Sequence, residues 1–67
     1  MKVITPAYAW IRKNSEGPET EFVSIETVEI LPMFSTKLKE KHEEKYPESI
    51  KKYPFVRLVK INLVEIE

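Results

Sequence analysis

Cysteine is absent from the chain, which excludes disulfides and thiolate metal sites outright. Aspartate and glutamine are absent too, and glycine and histidine occur once each, as Gly17 and His42. A single histidine without cysteine excludes a zinc site of the usual His/Cys kind. A single glycine cannot build a phosphate-cradling loop. No apolar segment approaches the ~20 residues needed to span a bilayer as a helix. The opening residues, MKVITPAYAW, lack the continuous apolar core and small-residue cleavage site of a signal peptide, so a cytoplasmic location is expected. Charge of one sign is also lacking. Eleven Lys and Arg balance eleven acids, all of them Glu. A net charge of zero gives no general pull toward nucleic acid or an anionic membrane surface.

What is present is one domain, residues 1–67. A chain this short buries only about 60% of the surface it exposes when unfolded. Its total stability is expected at roughly 3–10 kcal/mol, at about 0.05–0.15 kcal/mol per residue. Small folds usually add disulfides, a metal or self-association. With the first two excluded, a symmetric homo-oligomer is the expectation.

Residues 2–13 are rich in β-branched and aromatic types and predict a strand, interrupted by Pro6, which cannot donate to a ladder, so that either this strand is an edge or regular pairing starts at Ala7. The segment 14–19 holds Asn14 and Gly17, both tolerant of left-handed backbone angles, and predicts a hairpin loop. A second strand is expected over 20–31. In it Val23 and Ile25 share one face, Val28 and Ile30 share the other, and one extra residue at Glu26-Thr27 brings all four together, as a bulge does. Ser35 or Thr36 is placed to cap a helix over 35–46, whose narrow apolar line is Phe34, Leu38, His42 and Tyr46. Pro47 opens a short second turn over 47–53, presenting Ile50 and Tyr53. The string Lys-Tyr-Pro occurs at 45–47 and 52–54 and reads as punctuation. The segment 55–66 is apolar on both faces, with Val59, Ile61 and Leu63 on one and Val56, Leu58, Val64 and Ile66 on the other. Such a strand is normally central or covered twice. The expected class is therefore α+β: a small ββαβ domain, its three-stranded sheet covered on one face by a broken helix, dimerising through the sheet.

No catalytic constellation is expected, and no cofactor or metal. His42 lies among charges in KHEEK, and Ser24, Ser35 and Ser49 have no base in context. Glu26, Glu29, Glu65 and Glu67 read as solvated strand positions rather than an ion site. Alternation places Tyr8, Trp10 and Arg12 on one side of the first strand and Ala7, Ala9 and Ile11 on the other. Aromatic and arginine side chains are enriched at interface hot spots. If the helix covers the alanines, Tyr8 and Trp10 become exposed anchors with Arg12 as a polar rim, and Val59, Ile61 and Leu63 become their neighbours. The opposite arrangement puts Tyr8 and Trp10 inside. The function expected is that of a small non-enzymatic binding or regulatory protein. It is expected to be homo-oligomeric and to occupy or inhibit a protein partner, as short accessory proteins of phages and mobile elements do. One alternative is a single-stranded nucleic-acid module stacking bases on Tyr8 and Trp10 beside Arg12, extended by Arg57 or Lys60. Another is a small ligand held at a subunit seam.

Overall fold

A computed structural model of the chain describes residues 3–18 and 20–66. Lys2, Glu19 and Glu67, on which sequence expectations fall, lie outside the described residues. The architecture is a small α+β fold with a three-stranded antiparallel sheet and helices. The elements are β1 (Ile4–Lys13), β2 (Glu21–Val23), a 3₁₀ turn (Ile25–Thr27), α1 (Pro32–Lys45), α2 (Pro47–Lys52) and β3 (Phe55–Val64). The sheet order is β2-β1-β3. The central strand is thus β1, and β3, whose two apolar faces suggest a strand that is central or covered on both sides, is an edge. The helices carry the chain back to the one side of β1 that the hairpin leaves free.

Register settles how Pro6 is accommodated. Glu65 donates its N–H to the Val3 carbonyl at 3.0 Å, while Tyr8 and Glu29 exchange both backbone bonds on the other side of β1. Odd residues of β1 therefore bond to β3, and even residues turn away from it. Pro6 is even and faces Asn62, so its missing N–H leaves the β1–β3 ladder intact. In the hairpin loop, Asn14 N–H donates to the Thr20 carbonyl, the Asn14 side chain accepts the Glu16 N–H, and Gly17 takes φ 86°.

The phase change in the second strand proves larger than a one-residue bulge. Ile11 pairs with Val23 and Tyr8 with Glu29, so the intervening 3₁₀ turn adds three residues opposite β1. An odd excess brings Val23 and Val28 to one face, as the pattern required. Ile25 and Ile30, however, stand 78% and 66% exposed. Thr27 repairs the ladder. Its Oγ1 accepts the Trp10 N–H at 2.9 Å and donates to the Ser24 carbonyl at 2.8 Å, with the side chain wholly buried. Thr27→Val keeps the shape but strands the Trp10 N–H and is expected to cost about 1–3 kcal/mol. A lowered urea midpoint with an unchanged slope checks this.

α1 starts at Pro32, earlier than the Ser35 or Thr36 cap the sequence suggests, because proline is pre-set for the first helical position. Ser35 is instead wholly buried, and its Oγ donates to the Thr27 carbonyl at 2.6 Å. This bond sets the rotation of α1. Ser35, Lys39 and His42 face the sheet, Leu38 is half-buried, and Phe34 and Tyr46 are left exposed. Tyr46 and Tyr53, each before a proline, end α1 and α2 with nearly equal backbone angles, φ −129° at both.

Candidate functional site

Trp10, Arg12 and their neighbours form the closed side of the sheet. Trp10 is paired with Leu58 and meets the Phe55 ring edge-on at 6.4 Å, while the Lys39 ammonium of α1 stands 4.7 Å from its ring centroid. Its indole Nε1 is buried and has no acceptor among the described residues. Tyr8 is half-buried opposite Lys60.

Arg12, expected as a rim contact, is only 5% exposed. Its Nε donates to the Tyr53 carbonyl at 2.7 Å, and Nη2 donates to the Ser49 carbonyl and hydroxyl at 3.0 and 2.9 Å. The guanidinium lies 5.0, 5.8 and 6.0 Å from the ring centroids of Phe55, Tyr53 and Phe22. Helix ends leave carbonyls without intrahelical partners and favour cations. At the C-terminal end of α2 Arg12 takes this role at the Tyr53 carbonyl and adds a second bond to the Ser49 carbonyl, which already accepts the Tyr53 N–H, while the Ser15 N–H and Oγ reach the Lys52 carbonyl. The sequence offered no signal for this use of Arg12, since Ser49 and Tyr53 lie far along the chain and are brought over the sheet only by the helices.

Val59, Ile61 and Leu63 do not share a side with Tyr8, Trp10 and Arg12. They pair with Ala9, Ala7 and Thr5, and so lie on the opposite face. The sheet thus divides the expected contact residues into two sets. On this second face Ala7, Ala9 and Ile11 form a low, buried row. Half-buried Val59 and Ile61 flank it, with Leu63 and Val23 exposed at 43% and 40%. The side chains of α1 that meet the sheet contact Trp10 and Phe55, on the other side.

One end of the open face carries an ion pair. Arg57, opposite Ile11, reaches Glu21, opposite Lys13, with two hydrogen bonds of 2.7 and 2.8 Å. These bonds hold the Glu21 carboxyl below the usual carboxylate range and push Arg57 up. Glu26 is also lowered, first by its own backbone N–H and then by the Ser24 hydroxyl at 2.9 Å, with smaller help from the charges of His42 and Arg12. A carboxylate depressed in the folded state stabilises above its unfolded pKa, and that contribution is lost as pH falls through the folded value. The urea midpoint is therefore expected to fall as the pH drops below about 4, with a smaller fall in Glu26→Gln. Both glutamates are largely exposed, so solvent screening keeps the effect modest.

The serines at 24, 35 and 49 are engaged structurally. Ser24 Oγ donates to Glu26, Ser35 Oγ donates to Thr27, and Ser49 Oγ accepts from Arg12. His42 Nε2 lies 3.4 Å from Arg12 Nη1, and its ring packs on Tyr46 and Phe55. Among the described residues no cluster of three or more His or acidic side chains is placed to hold a metal ion, and no helix is long and apolar enough to cross a membrane. No protein-family model, curated protein or solved structure matches the chain.

Proposed function

We propose that this chain is a non-enzymatic binding protein that self-associates and acts by occupying the surface of a protein partner. The observation that carries the reading is the sheet face opposite the α1 contacts, where exposed Val23 and Leu63 and half-buried Val59 and Ile61 border the buried row of Ala7, Ala9 and Ile11. β-Branched side chains on a sheet lose little rotamer freedom on contact, so such a surface is pre-organised for binding. Its chemistry suits an apolar, flat protein surface with a polar margin at the Arg57–Glu21 end. The anchors of this reading are Val59, Ile61 and Leu63. Tyr8, Trp10 and Arg12 act behind them as the packed support of the same sheet. A base-stacking role draws less support from the geometry, because Arg12 is buried and Lys39 lies over the Trp10 ring.

A photo-reactive residue at Val28, on the open face, tests the proposal against one at Lys41 on the outer side of α1. In lysate from the cell of origin, the Val28 probe is expected to give a discrete protein adduct that the Lys41 probe does not. Val23→Glu, at an exposed position, should abolish it while leaving the circular dichroism unchanged. Identical adducts from both probes, or an adduct indifferent to Val23→Glu, would overturn the reading.

A further inference from the structure

The edge of β3 specifies a partner more closely than the face does. The Glu65–Val3 bond fixes the odd residues of β3 as those bonded to β1. The N–H and C=O groups of Leu58, Lys60, Asn62 and Val64 consequently point away from the sheet, and among the described residues β3 has no neighbouring strand on that side. Edges are ordinarily blunted by short length, prolines, bulges or charge. Here the strand runs for ten residues, contains no proline, and carries its bulge at one end, where Val56 is the extra residue between the partners of Ile11 and Arg12. Lys60 is the one charge on the outward-bonding set.

We propose that this edge pairs with the same edge of a second copy, antiparallel, about a two-fold axis at Ile61. The proposal rests on the self-association part of the functional reading and names its geometry. Antiparallel pairing must set outward-bonding residues opposite one another, so a symmetric register centres on a single residue. Centring on Lys60 opposes two like charges, which is unfavourable. Centring on Val59 runs the ladder into the bulge at Val56, and centring on Asn62 sets Glu65 against Val59. Centring on Ile61 opposes Arg57 with Glu65 twice, Val59 with Leu63 twice, and Ile61 with itself. On the outward-bonding set it opposes Lys60 with Asn62 and Leu58 with Val64. Charges and apolar groups both find their complements in this register. The result is a six-stranded sheet gaining on the order of eight backbone hydrogen bonds. It also joins the two open faces into one surface around the axis.

The test is sedimentation equilibrium of the full chain and four variants, with circular dichroism as the folding control. The chain itself is expected to be a dimer. Lys60→Pro removes an outward N–H that makes no bond within the monomer, so it should retain the native spectrum and sediment as a monomer. Arg57→Glu and Glu65→Arg should each raise the dissociation constant at least about tenfold, because each sets like charges opposite. Arg57→Glu also ends the Arg57–Glu21 pair within the chain, which the double variant does not restore, so recovery in the double variant reads the 57–65 contact alone. The double variant Arg57→Glu/Glu65→Arg, with the original net charge, should recover most of that loss, which only a register opposing 57 with 65 permits. A folded Lys60→Pro dimer would overturn the edge and leave self-association standing. A double variant no tighter than the single ones would overturn the register. A chain monomeric at every concentration would overturn this inference and the self-association together, while leaving the open-face adduct as a separate result.

Discussion

Arg12→Ala is expected to remove a large part of the domain's stability. The guanidinium donates three hydrogen bonds, to the Tyr53 carbonyl and to the carbonyl and hydroxyl of Ser49, and lies among the rings of Phe22, Tyr53 and Phe55. Charge-assisted bonds contribute roughly 1.5–3 kcal/mol each and are not additive, so with the lost packing the cost is put at about 3–5 kcal/mol. That is comparable to the roughly 3–10 kcal/mol expected for a whole domain of this length. Arg12→Lys is expected to rescue little, since one ammonium cannot span both the Ser49 and Tyr53 acceptors as the planar fork does. Urea denaturation followed by circular dichroism reads the effect. An Arg12→Ala variant with a midpoint close to the parent's would show that α2 is held to the sheet by something else.

Trp10 carries the second large effect, and here the two obvious substitutions separate. Trp10→Ala removes the main side chain between α1 and the sheet and is expected to cost about 3–5 kcal/mol. Trp10→Phe loses some packing against Lys39 and Phe55 but also removes the buried Nε1 donor that has no acceptor among the described residues. Leaving such a group unsatisfied costs about 1–3 kcal/mol, so the two terms largely offset, and a change within about 1 kcal/mol is expected. A Trp10→Phe variant as unstable as Trp10→Ala would mean that the indole N–H is bonded in solution.

These residues also show what the sequence disclosed and what it withheld. Alternation along β1 divided Ala7, Ala9 and Ile11 from Tyr8, Trp10 and Arg12, and local chemistry marked the hairpin at Gly17 and the helix break at Pro47. Each of these signals is contained within a few neighbouring residues. The choice of face was not. It depends on the rotation of α1, set by the buried Ser35–Thr27 bond, and a serine inside a charged helix reads as solvated or as a cap. The apolar line of Phe34, Leu38, His42 and Tyr46 pointed to a different rotation. In the second strand, hydrophobic phase revealed that an odd number of residues was inserted. Phase cannot distinguish one residue from three, and the 3₁₀ turn depends on a Thr27 hydroxyl standing in for a ladder carbonyl. The position of β3 at an edge was hidden for a related reason. A strand apolar on both faces resembles a central one, and what marks this strand as an edge is the direction of its backbone groups, which side-chain pattern does not encode. Arg12 was legible as a binding-type residue, but its acceptors on α2 lie roughly forty positions away.

α1 shuts the Trp10 side of the sheet, and the contacts proposed with other molecules fall on the opposite face and the β3 edge. Trp10 emission, recorded together with light-scattering mass across a dilution series, tests this arrangement most directly. The account predicts a dimer that dissociates on dilution while the emission stays at one blue-shifted wavelength, because Trp10 is covered by its own helix in either state. A red shift that tracks dissociation would place Trp10 in the subunit contact and contradict the account.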